Sequence, residues 1–119
     1  MVGLIKDFKL NYEELENNLS RRTKVVAVTM MSNVLGTIND VKTFTKLAHE
    51  YGALVVVDGA QAVPHMPVNV KNLDIDFLAF SGHKMLGPTG IGVLYGKREF
   101  TRELNTTYAW WWYSKVCGL

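Results

Sequence analysis

Two short, β-branched apolar runs constrain this chain more than any other feature. The first is Lys24 to Met31 (KVVAVTMM) and the second Ala53 to Val57 (ALVVV). Apolar runs of this length without alternation read as strands buried on both faces. Between them Val41, Phe44, Leu47, Ala48 and Tyr51 fall at helical spacing. Asp40 can cap that helix, and Gly52 can end it in the left-handed conformation. Strand, helix and strand joined by short links form a βαβ crossover and a largely parallel sheet. The fold class is therefore α/β.

Further elements follow from the same local signals. Asn11 is an N-cap with Glu14 as its reciprocal capping-box partner, and Leu10 and Leu15 form a hydrophobic staple. This predicts a helix from Tyr12 to about Leu19, ending near Arg21 and Arg22 at the negative end of its dipole. Ser32 to Thr37 is a loop, and Pro64 to Pro67 is turn-rich. Phe77 to Phe80 reads as a third strand, Ser81 to Gly90 as a glycine-rich loop, and Ile91 to Tyr95 as a fourth strand, antiparallel or at an edge.

Composition narrows the functional classes. Thirteen Lys and Arg against eleven Asp and Glu leave a net charge of +2, too weak a bias to propose nucleic acid. Cys117 alone cannot build an internal disulfide framework or a cysteine-based zinc site. The three histidines show no metal spacing, so no metal is expected. His49 is expected to be exposed and solvated, and His65 structural, while the methionines, Met30 and Met31 among them, read as core filler. The start MVGLIKDFKL lacks the apolar core of a signal peptide, and charges interrupt every apolar run. No membrane is expected, and the cytoplasm is the default compartment. With 119 residues the chain has room for one domain and not two.

In open α/β sheets ligands bind beyond the carboxyl ends of the strands. Three polar clusters lie there: Asn33 after the first strand, Asp58 and Gln61 after the second, and Ser81, His83 and Lys84 after the third. Each has two readings. Asp58 is either a helix N-cap or an anion facing a cationic ligand group such as a pyridinium nitrogen. Lys84 is either a solvated loop lysine or an amine that forms a Schiff base. Ser81 and His83, in a glycine-rich loop, suit the grip of a phosphate. Neither the Walker spacing nor the dinucleotide glycine fingerprint is present. An acid at one strand end, with a lysine and phosphate-binding groups at its neighbour, is the arrangement that pyridoxal 5′-phosphate requires.

From Lys24 to about Phe100 the chain closely resembles the large domain of the class V aminotransferase family of pyridoxal-phosphate enzymes. The segments that carry the likeness are Met31 to Thr37 (MSNVLGT), Val57 to Ala62 (VDGAQA) and Asp76 to Lys84 (DFLAFSGHK), continuing as Gly87 to Gly92 (GPTGIG). It is most similar to the group II, SUF-type cysteine desulfurases and selenocysteine lyases, because Thr89 stands where the group I enzymes more often have Lys. The resemblance implies a fragment of the fold-type I large domain, mostly parallel with βαβ units. It implies Lys84 as the catalytic, cofactor-linked lysine, Asp58 at the pyridine nitrogen and Gln61 at the phenolic oxygen. Ser81 and His83 would hold the phosphate, and Asn33 would lie near the ring oxygen and the substrate carboxylate. The implied substrate is L-cysteine or a related amino acid, yielding alanine and an enzyme-bound persulfide, with a sulfur-acceptor protein as partner of the full-length parent and iron-sulfur cluster assembly as its setting. The rivals are another class V enzyme, such as an aminotransferase or a kynureninase-like lyase, and a non-catalytic remnant with a structural or self-association role.

The family pattern also sets expectations about the two ends. Residues 1–103 are expected to be part of the cofactor-binding large domain, without its first portion, its small domain or its nucleophilic cysteine. Cys117 matches no family motif and is not expected to be that nucleophile. From Leu104 to Leu119 there is no acidic residue, and Trp110, Trp111, Trp112 and Tyr113 follow one another. A shifted reading frame through glycine codons would write such a tryptophan run, so 104–119 is an atypical aromatic tail, read either as a frameshift product from about Asn105 or as a native tail packing on a partner. Activity of this chain alone is not expected. With strand edges and apolar faces lacking their usual cover, it should be homo-oligomeric or aggregation-prone.

Overall fold

The computed structural model describes residues 3–6 and 8–102. The apolar runs form strands β1 (Val25–Thr29), β2 (Leu54–Asp58), β3 (Phe77–Ser81) and β4 (Gly92–Gly96), ordered β1-β2-β3-β4 in one sheet. The first three are mutually parallel, and β4 runs antiparallel to β3 at the edge. The mostly parallel α/β sheet is thus as the sequence predicts.

The helix between β1 and β2 is α2 (Val41–Glu50), and its ends are as expected. The Asp40 carboxylate accepts the Thr43 backbone N–H at 3.1 Å. At the other end Gly52 has φ +76, and its N–H donates to His49 O while that of Ala53 donates to Ala48 O. Those two bonds together make a Schellman motif, which satisfies carbonyls the helix would leave unpaired. Val41, Phe44 and Ala48 are buried against the sheet.

Helix α1 (Tyr12–Asn18) is one residue shorter than expected, and no basic residue lies in its last turn. Leu19 leaves helical geometry to enter the core, so Arg21 and Arg22 fall beyond the dipole's end. Asn11 Oδ1 accepts the Glu14 N–H at 3.1 Å, but the capping box is only half made. Glu14 Oε2 accepts the Gly3 N–H instead, at 2.7 Å, because Asn11 N–H is already bonded to Gly3 O.

Three further expectations need correction. Among the described residues, strand β1 is covered on one face only: Val28 is buried while Val25 is 55% exposed. Register explains this, since Val28, Val57 and Leu78 line up toward the core that includes Phe44 and Leu15, whereas Ala27, Val56 and Phe77 line up on the opposite face. The one-turn helix α3 (Ala62–His65) runs into the Pro64 to Pro67 segment and takes up its first two residues. Pro64 fits there because an N–H in the first helical turn has no intrahelical partner to lose. Ser81 belongs to β3, and the following loop begins as a 3-10 turn, Gly82–Met85. A short helix, α4 (Arg98–Thr101), follows β4.

Met30 is buried and Met31 packs against the core, but Met85 is 44% exposed and fills none. The aromatic tail, Cys117 and the proposed boundary at 103 lie outside the described residues.

Candidate functional site

The carboxyl ends of β1, β2 and β3 meet at one edge of the sheet. Thr29, Asp58 and Ala79 are aligned across these three strands, so their side chains share the uncovered face. Ser81 lies two residues beyond Ala79 and projects to the same side. An open cleft of about 280 Å³ lies against Asp58, walled by Ala27, Thr29, Val56 and Ala79. An apolar wall with an acid at its rim suits a flat, partly cationic ring.

Asp58 is exposed, and its Oδ1 accepts the Ala60 N–H at 2.8 Å. This is an Asx-type turn that leaves Oδ2 uncommitted. Asp58 does not cap α3, whose N-cap is Gln61 without a side-chain bond. Gln61 is half-buried at the start of α3, which packs near the 3-10 turn. His83 is exposed and Lys84 half-buried within that turn. Asn33 is exposed in the segment after β1, where Ser32 Oγ accepts the Val34 and Leu35 N–H groups and Met31 bridges Ile38.

Five of the candidate side chains at this edge are free, although Thr29, Ser32 and Asp58 beside them are bonded locally. Among the described residues, Asn33, Gln61, Ser81, His83 and Lys84 make no side-chain hydrogen bond, and Lys84 enters no ion pair, whereas Lys97 holds two carboxylates. Uncommitted donors and acceptors on three loops can converge on one ligand. The donor set (an acid on the cleft face, an amine, a hydroxyl and an imidazole) fits pyridoxal 5′-phosphate. No group of residues that could hold a metal ion occurs among the described residues.

Sequence reasoning missed two polar features, one at this edge and one at the far end of the sheet. Asn39 is buried, and its Nδ2 donates to Thr29 O at 2.8 Å, tying the loop that carries Asn33 to the end of β1. Its position just before the α2 cap is the only signal the sequence offered. The second is the charge cluster around Asp76. His49, expected to be solvated, is half-buried there, with Nε2 2.7 Å from Asp76 Oδ2 and Nδ1 3.2 Å from Asp74 Oδ2. His65 is local and structural, its Nδ1 lying 2.6 Å from Gln61 O.

Comparisons with known proteins show the family of this chain and the proteins whose fold it shares. The model of the family described as aminotransferase class-V matches residues 2–109. A probable cysteine desulfurase of Halalkalibacterium halodurans is 57% identical over 104 residues, covering 87% of this chain and 26% of the relative. A cysteine desulfurase of Thermococcus onnurineus, solved in its apo form, superposes with a TM-score of 0.77 at 47% identity, over 86% of this chain and 26% of that one. The cysteine desulfurase CsdA of Escherichia coli superposes with a TM-score of 0.72 at 49% identity, over 75% of this chain and 22% of that one. The chain thus spans about a quarter of the length of the curated relatives it matches.

Proposed function

The chain belongs to the aminotransferase class-V family, and we propose that it carries the cofactor-binding edge of a pyridoxal-phosphate-dependent cysteine desulfurase. The observation that supports this most is the shared, uncovered face of Asp58 and Ser81 beside a turn whose lysine, Lys84, is uncommitted. Half-identity to cysteine desulfurases over this stretch supports the sulfur chemistry.

When bound, the cofactor supplies an electron sink for the charge that develops on the substrate carbon. The chain's own residues would do the rest. Lys84 Nζ would bind the cofactor carbonyl covalently and, once released, carry a proton to and from the substrate. The Asp58 carboxylate would keep the ring nitrogen protonated, which sustains its electron withdrawal. Gln61 would donate to the phenolic oxygen, Ser81 and His83 would hold the phosphate, and Asn33 would orient the substrate carboxylate. The sequence Gly87-Pro88-Thr89-Gly90-Ile91-Gly92 supports the SUF-type group II branch, with selenocysteine as an alternative substrate. Cysteine would leave as alanine, its sulfur passing to a cysteine thiol as a persulfide and then to an acceptor protein in the cytoplasm. The uncovered apolar face of the sheet supports self-association.

Titration with pyridoxal 5′-phosphate tests the reading. A yellow absorbance should appear with the parent chain and vanish with Lys84→Ala. A band that survives the substitution would reject Lys84 as the anchor. Asp58→Ala should impair turnover more than cofactor retention in a protein that carries this stretch and turns over cysteine; equal losses would contradict its role at the ring nitrogen.

A further inference from the structure

At the end of β3 opposite the candidate site, three charged or titratable side chains, His49, Lys97 and Asp74, gather around one buried carboxylate. Asp76 is 1% exposed. Its Oδ2 accepts the Val55 N–H of β2 at 2.7 Å and faces His49 Nε2 of α2 at 2.7 Å. Its Oδ1 lies 2.6 Å from Lys97 Nζ, and its backbone carbonyl accepts the Lys97 N–H at 2.9 Å. Asp74 completes the cluster, 2.6 Å from the same Lys97 ammonium.

Asp76 immediately precedes β3 and Lys97 immediately follows β4. The pair therefore closes the open end of the β3–β4 hairpin, while residues 82–91, including His83 and Lys84, form its connection. A connection of that length specifies register weakly, and a slip of one residue turns every side chain to the other face. The backbone is closely packed here: a Cβ on Gly87 in the connection would come within 2.9 Å of Gly82 O, and one on Gly92, the first residue of β4, within 3.1 Å of Phe80 O. Fixing register is the best-attested use of a buried ion pair, whose desolvation otherwise makes it a weak source of stability.

We propose that Asp76 and Lys97 are positioning residues for Lys84. They lock the β3–β4 register from the far end, and so set where the Gly82–Met85 turn presents its lysine and which face Ser81 occupies. The register lock stands on the geometry alone; its consequence for the cofactor rests on the role proposed for Lys84.

Hydrogen exchange on the whole chain tests the lock. Asp76→Asn keeps the shape and an acceptor for Val55 N–H, and Lys97→Met keeps the apolar stem. Each should speed exchange of the Gly82 and Gly87 amides by about tenfold, and the double variant should be no faster than either single one, because the two act as a unit. Phe44→Leu, a core change on α2 outside the hairpin, should lower the melting temperature without altering those amides. Unchanged exchange in both hairpin variants, or equal acceleration in the control, would overturn the proposal. If Asp76→Asn does not fold, Lys97→Met alone decides. Affinity for pyridoxal 5′-phosphate should fall about tenfold in the hairpin variants and not in Phe44→Leu. A parent chain that takes up no cofactor would defeat the role of Lys84, and the exchange result would still decide the lock.

Discussion

Leu86, two residues beyond Lys84, sits in the left-handed region at φ 62 and ψ 14 with its side chain wholly exposed. A non-glycine residue there is strained and gains nothing from packing. Leu86→Gly should therefore raise stability by about 0.5–1 kcal/mol, read as a shift of the urea midpoint at constant slope. Gly87 is the reverse case. Its missing side chain admits Gly82 O, so Gly87→Ala should cost about 1–3 kcal/mol in the same measurement. Legibility at this scale depended on range. Asp58 and Ser81 stood out because they directly follow apolar runs, and Lys84 because it lies in the glycine-rich loop that comes next, all local signals. The pairing of His49 with Asp76 spans 27 positions and leaves no local trace, so a half-buried, hydrogen-bonded histidine read as a solvated one.

Helix α2 was legible at both ends because every determinant lies within a few residues: the cap, the apolar period and the glycine stop. Asp40→Ala should cost about 1 kcal/mol by loss of that cap. The Thr43 hydroxyl and N–H hold the Asp40 carboxyl below its usual 3.8. Its stabilisation is thus present above the unfolded-state value and is lost as pH falls through the lower folded one. The helicity of the parent chain should accordingly decline on acidification with a component that Asp40→Ala removes. Strand β1 was less legible. A run of Val and Ala carries no information about which elements cover each face, and only the alignment of Val28 with Val57 and Leu78 decides that one side faces α2. Helix α3 was missed because two prolines bracketing a histidine signal a turn as readily as a first helical turn.

For the molecule as a whole, the cluster around Asp76 joins α2, β2, β3 and the start of α4 through one carboxylate. Burial works to raise Asp76, but the hydrogen bonds from Lys97, His49 and Val55 N–H outweigh it and leave the carboxyl below 3.8. Asp74 is lowered first by its bond from Lys97, and Lys97, despite burial, is raised above 10.5 by its bonds to Asp74 and Asp76. The depressed carboxylates stabilise above their unfolded-state value and lose that contribution as pH falls through the folded values below 3.8. The raised lysine contributes fully below 10.5 and loses its contribution as pH rises through its higher folded value. Stability measured by denaturant across pH should fall at both limits, and Asp76→Asn should flatten the acid limb. Asp76→Ala, which strands Lys97 and the Val55 N–H, should cost about 3 kcal/mol. The parallel sheet and the site edge were readable from strand and motif order, whereas this cluster exists only once the sheet has formed.

The site reading stands or falls with Lys84 as the covalent anchor. Incubating the chain with pyridoxal 5′-phosphate, reducing with borohydride and mapping the product by peptide mass spectrometry locates the modified residue directly. The adduct should appear on Lys84 and be absent from Lys84→Ala. A chain that takes up no cofactor, or one labelled at Lys97 or at scattered surface lysines, would contradict it.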